Sequence, residues 1–143
     1  MKERLPDFVI IDDDRINNML CIAIIKNIIP GANVVGFVFP EEGLEYLNLK
    51  CAAADANEII LLLDINMPVL NGWDVLQKLE TASITVRQHL KIFMLSSSLD
   101  PRDKEKAQNS SLTSGFIEKP LSLLNVRELF TNTIEKSITK LQR

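Results

Sequence analysis

The sequence predicts an α/β fold: a doubly wound, parallel five-stranded sheet in the order 2-1-3-4-5, with helices on both faces. Three observations lead there. Short apolar runs recur without polar alternation, as strands buried on both faces do. Segments with helical spacing or helix-start chemistry separate them, so β and α alternate five times, which calls for right-handed parallel crossovers. The residues just after the strands are acids, a serine and a lysine, placed at the edge where open α/β sheets hold their chemistry.

Phe8-Val9-Ile10-Ile11 is the first strand, and it runs into Asp12-Asp13-Asp14. Asp14 suits the cap of a helix over about Arg15 to Ile28, which Pro30-Gly31 stops. Ile16, Leu20, Ala23 and Asn27 mark one face of this helix. Cys21 to Ile25, however, is apolar most of the way round, which predicts a heavily covered helix. Asn33 to Phe39 is the second strand. Pro40 opens the next helix at its first position, with Glu41 and Glu42 favourable in the first turn. Leu44, Leu47 and Cys51 form its apolar side, and Lys50 to Glu58 reads as a frayed end plus a long connector.

Ile59 to Leu63 is the third strand, five apolar residues followed at once by Asp64. Pro68, Asn71 and Gly72 then force a turn. Trp73, Val75, Leu76 and Leu79 space a helix from Gly72 to about Ala82. Lys91 to Leu95 is the fourth strand and ends in Ser96-Ser97-Ser98. Asp100 as cap and Pro101 as first helical residue start a helix that ends near Asn109. Only Ala107 offers it packing, so it is expected to be short, exposed and mobile. Gly115 to Glu118 is the fifth strand and meets Lys119-Pro120. A last helix from about Ser122 to Leu141 carries the stripe Val126, Phe130, Ile134, Ile138, Leu141.

A chain of 143 residues fits one domain. Apolar residues at 46% and charged ones at 24% exclude a disordered chain. A net charge of -3 and a pI near 5.2 argue against a binder of nucleic-acid backbone, which needs a basic patch. Cys21 and Cys51 form no CxxC and no Cys/His cluster; this argues against zinc and fits a reducing compartment. The charged start lacks a signal-peptide run, and no apolar run approaches the ~20 residues that span a bilayer. The chain is therefore expected to be cytoplasmic, without membrane insertion.

In a parallel sheet all carboxyl ends share one edge. Here that edge carries Asp12 and Asp13 from the first strand, Asp64 from the third, Ser96 from the fourth and Lys119 from the fifth. The order 2-1-3-4-5 makes strands one and three neighbours, so three carboxylates crowd together. Crowded like charges call for protonation or a cation. A hard oxygen cluster that leaves room for water suits Mg²⁺. An Asp carboxylate is a recognised covalent nucleophile, and phosphoryl transfer needs mainly positioning and charge neutralisation. Lys119 offers a mobile cation and Ser96 a hydroxyl for the phosphoryl oxygens.

These residues give the chain its resemblance. Ile11-Asp12-Asp13-Asp14, Leu63-Asp64-Ile65-Asn66-Met67-Pro68 with Gly72, Leu95-Ser96-Ser97 and Phe116-Ile117-Glu118-Lys119-Pro120 resemble the receiver domain of two-component response regulators, of the single-domain kind found in bacteria. The likeness runs over roughly residues 5 to 141. It implies a flavodoxin-like (βα)5 sandwich, with residues 1–143 as one receiver and no output domain. It further implies that Asp64 accepts a phosphoryl group from a sensor histidine kinase or histidine phosphotransfer protein. Asp13 would bind Mg²⁺ directly, Asp12 directly or through water, and Asp64 and the backbone carbonyl of Asn66 would complete the protein ligands. Ser96 would be the switch hydroxyl, Lys119 its charged partner at the phosphoryl group, and Phe116 the switch aromatic that turns inward. Such a chain is a switch that catalyses only its own phosphorylation and slow dephosphorylation. Its output is docking to a downstream protein, as a monomer or a weak phosphorylation-dependent dimer.

Plainer readings stand beside these. Asp14 is a cap rather than a ligand, His89 a surface histidine, and Trp73 packs beside the turn. Ser97 and Ser98 are loop residues, with Ser98 near the water of dephosphorylation if the resemblance holds. Two alternatives remain within phosphate chemistry. One is a relay intermediate without its own output. The other is an aspartate-nucleophile phosphatase of the haloacid-dehalogenase type, which needs a second Asp where this chain has Asn66. A flavodoxin-like cofactor binder is disfavoured, because acids follow the first strand where FMN phosphate would need a Ser/Thr/Gly-rich loop.

Overall fold

The structure, a computed structural model, describes residues 4–97, 100–129 and 131. The five strands are β1 (Asp7–Ile11), β2 (Val34–Phe37), β3 (Ile59–Asp64), β4 (Leu90–Ser96) and β5 (Thr113–Glu118). They form one parallel sheet in the order β2-β1-β3-β4-β5, as the sequence predicts. The helices are α1 (Arg15–Ile28), α2 (Pro40–Ala52), α3 (Gly72–Glu80), α4 (Ile84–His89) and α5 (Pro101–Asn109). A sixth helical segment, α6, covers residues 123–129 within the described part. The expected continuation of that helix to Leu141, with Phe130, Ile134 and Ile138, lies outside the described residues, as does Ser98.

β3 is the axis of the molecule. Every one of its residues is buried, because strands lie on both sides and helices cover both faces. Alternate β3 residues feed two cores. Leu61 and Leu63 join Val9, Ile11, Leu47, Val75, Leu79 and Met94 on one face. Ile60 and Leu62 join Phe8, Ile10, Cys21, Ile25, Leu95 and Val126 on the other.

Two features differ from the sequence reading. α4 was not expected. Ser83 caps it by accepting from the Val86 amide, and Val86 alone is buried; a six-residue helix with one inward residue shows no periodicity to read. The inward face of α1 is Asn18, Cys21 and Ile25, so the face expected from Ile16, Leu20, Ala23 and Asn27 is the exposed one. The polar member of the true stripe is buried for a reason. The Asn18 side-chain Nδ2 donates to the carbonyls of Asp12 (3.0 Å) and Phe37 (3.4 Å), bridging the ends of β1 and β2.

Candidate metal and phosphoryl site

Parallel pairing delivers the chemistry to one edge. Ile11 sits opposite Leu63, so the next residues on the two strands, Asp12 and Asp64, are neighbours. Asp64 pairs with Leu95 and Ser96 with Glu118, which brings Ser96 and Lys119 to the same edge. The Lys119 amide donates to the Ser96 carbonyl at 2.8 Å, so the β5 end is fixed to the β4 end. The Lys119–Pro120 peptide bond is cis.

Asp12, Asp13 and Asp64 each offer a carboxylate oxygen, and these atoms all lie within 4.8 Å of one another. Asp12 and Asp64 are buried and Asp13 is exposed, so the cluster opens to solvent on the Asp13 side. Lys119 Nζ bridges the two buried acids, 2.7 Å from Asp12 Oδ2 and 3.0 Å from Asp64 Oδ1. Three carboxylates against this one lysine leave two negative charges, which a divalent cation with hard oxygen preference fits. The donor set therefore fits Mg²⁺, with Asp13 the most accessible ligand.

Burial pushes the Asp64 carboxyl up from 3.8 to about 6; Lys119 opposes the rise and the Asp12 carboxylate adds to it. Burial alone would lower the Lys119 ammonium. Its bonds to Asp12 and Asp64 outweigh that, and its pKa lies above the ordinary 10.5. The cation is thus held in its charged form beside an acid that resists ionisation.

The loop after β3 is shaped around Asp64. The Gly72 amide donates to the Ile65 carbonyl at 2.9 Å. A Cβ on Gly72 would stand 2.4 Å from the Asp64 carbonyl oxygen and 2.8 Å from Ile65 Cα, so only glycine fits there. Leu70 N–H donates to the Pro68 carbonyl at 2.7 Å, closing a three-residue turn with Val69 at φ 64°. A β-branched residue in that region is strained, and Val69 is also fully exposed. Asn71 then caps α3 in a reciprocal capping box with Asp74. Asn66, the expected carbonyl ligand, stands exposed in this loop.

The other expected residues are placed as follows. Asp14 caps α1, accepting from the amides of Ile16 and Asn17. Ser96 is fully buried. Phe116 is half-buried and packs against the core on the α3 side. His89 is half-buried at the end of α4, with Nδ1 2.7 Å from the Thr85 carbonyl. Trp73 does more than pack beside the turn: its Nε1 donates to Asp103 Oδ1 at 3.2 Å, and Lys106 lies over its ring at 4.7 Å.

Sequence reasoning missed Asn17. Its Nδ2 donates to Asp12 Oδ2 at 2.7 Å. The signal was its position, the third residue of a helix that starts beside an acidic strand end, from where a short amide reaches back over the helix start.

The description "Response regulator receiver domain" matches residues 8–131. Among solved structures, a two-component response regulator from Cytophaga hutchinsonii is 28% identical, with TM-score 0.83, over 93% of this chain and 99% of that one. A response regulator receiver protein from Dyadobacter fermentans is 25% identical, with TM-score 0.79, over 90% and 97%. The chemotaxis protein CheY4 of Vibrio cholerae shares the fold at 17% identity and TM-score 0.71, over 90% and 98%. No curated protein matches the chain. With residues 8–131 of its 143 matched, this chain belongs to the response regulator receiver domain family.

Proposed function

We propose that this receiver is a phosphorylation-driven switch in which Asp64 takes a phosphoryl group from the phosphohistidine of a sensor kinase or phosphotransfer protein. The observation that carries this is the acid trio with Lys119 bridged between Asp12 and Asp64. An Asp64 oxygen forms a bond to phosphorus as the donor's P–N bond breaks. The donor imidazole keeps that electron pair and takes up a proton. Mg²⁺, when bound, neutralises charge on the phosphoryl oxygens; Asp12, Asp13, Asp64 and the Asn66 carbonyl would hold it. Lys119, already at Asp64 Oδ1, pairs with the transferred group. Ser96 at the adjoining strand end closes on it, and Phe116 turns inward to fill the space this leaves.

Transfer of this kind needs a donor seated over the edge. Ile16 and Leu20, 69% and 53% exposed on α1 just beyond Asp14, offer it apolar surface. Output is docking to a downstream protein in the cytoplasm, or relay of the phosphate to another histidine. The chain acts as a monomer or a weak phosphorylation-dependent dimer.

Incubation with a small phosphodonor and Mg²⁺, followed by intact mass, tests this. A single labile phosphoryl adduct is expected, absent in Asp64→Asn and absent with a chelator. No adduct, or one that persists in Asp64→Asn, contradicts it.

A further inference from the structure

Asp12 is held differently from the other two acids. It is fully buried, and all of its polar atoms are engaged. Oδ1 accepts from the Asp14 amide at 2.9 Å. Oδ2 accepts from Asn17 Nδ2 and from Lys119 Nζ, each at 2.7 Å. Its backbone N–H donates to the Phe37 carbonyl at 3.0 Å, and its own carbonyl accepts from Asn18 Nδ2 at 3.0 Å. Two successive amides of α1 therefore grip the side chain and the backbone of one acid. Asn18 does so although its Oδ1 is buried without a hydrogen-bond partner among the described residues.

The neutrality of these donors matters. A buried carboxylate needs its lone pairs matched. A second cation in place of Asn17 would match them but cancel the negative charge that makes the cluster attractive to a divalent ion. An amide anchors the oxygen and leaves the charge. Asp13 is exposed, and among the described residues no comparable side-chain anchor holds it.

We propose that Asn17 is a positioning residue for the divalent-cation site, fixing the Asp12 carboxylate in the acid cluster without neutralising it. This rests on the metal-binding part of the function proposed above, and the test separates the two. Mn²⁺ is the probe, its binding to the whole chain followed by the electron paramagnetic resonance of the free ion. Phosphorylation from a small phosphodonor at saturating Mg²⁺ is measured in parallel. Asn17→Leu keeps the volume and the helix but removes the donor; Asn17→Gln keeps an amide.

The expected result is Mn²⁺ binding about 5- to 10-fold weaker in Asn17→Leu, restored to within about threefold in Asn17→Gln. Phosphorylation of wild type at saturating Mg²⁺ reads the proposed function separately, since it does not depend on the Asn17 comparison. If Asn17→Leu does not fold, Asn17→Ala carries the same comparison. Equal Mn²⁺ affinity in wild type and Asn17→Leu overturns the inference while the phosphoryl adduct on Asp64 stands. So does a loss in Asn17→Gln as large as in Asn17→Leu, since shape rather than the donor would then be at work. A wild-type chain that binds no Mn²⁺ overturns both this inference and the metal site it rests on.

Discussion

Asp64 is an acid placed where water hardly reaches it, and its buried position sets how it responds to pH. Burial pushes its carboxyl up to about 6 against 3.8 ordinarily. The folded chain therefore binds a proton that the unfolded chain has already lost, and stability falls as pH rises through that window. Above that window the ionised native form carries the cost of a buried charge, which the unfolded chain does not. Thermal unfolding in chelator should show wild type gaining stability between pH 7 and pH 5 relative to Asp64→Asn. Asp64→Asn should melt higher than wild type at pH 7. Added Mg²⁺ should narrow or reverse that order, since a ligand of the native state stabilises it by mass action. Identical pH profiles for the two chains would count against a strained Asp64. The place of the acid was legible from sequence, because unbroken apolar runs end in acids on two strands that the sheet order makes neighbours. Asn17 was passed over: its place in the first turn after an acidic strand end was a signal, but whether its amide reaches Asp12 depends on how the helix enters.

Among the described elements, α5 is thinly anchored by packing: Ala107 is its only buried residue, as Val86 is of α4. The sequence shows this polarity directly. It does not show that Trp73 of α3 holds α5 through Asp103 and Lys106. The hydroxyl of Thr113 adds a second tie, donating to the Ala107 carbonyl. Trp73→Leu keeps apolar bulk but removes the hydrogen bond and the cation–π contact. The expected loss is about 1–2 kcal/mol in urea unfolding. Faster hydrogen exchange confined to Pro101–Asn109 should accompany it. Unchanged protection there would show that packing through Ala107 suffices. α1 teaches the complementary lesson. Its apolar residues run nearly all round, so counting them cannot tell inside from outside. Asn18, a polar residue on the inward stripe for the sake of two strand carbonyls, makes the true face look like the wrong one. α4 was hidden for the simpler reason that Val86 is its only inward residue.

For the molecule as a whole, five buried strands joined by right-handed crossovers suit the order β2-β1-β3-β4-β5, and that order brings the site together. β1 and β3 adjacent at the centre make the acids neighbours. β4 and β5 beyond them bring the hydroxyl and the lysine to the same edge. Everything else in the account depends on the cluster of Asp12, Asp13 and Asp64 holding a divalent ion while Asp64 takes the phosphoryl group. The most direct measurement is a crystal structure with Mg²⁺ and beryllofluoride, a stable stand-in for the phosphoryl group. The account predicts beryllium bonded to an Asp64 oxygen, the ion ligated by Asp13 and by the Asn66 carbonyl, and Lys119 and Ser96 on the fluorides. Beryllofluoride absent from Asp64, or an ion bound elsewhere with Lys119 still locked between Asp12 and Asp64, would contradict it.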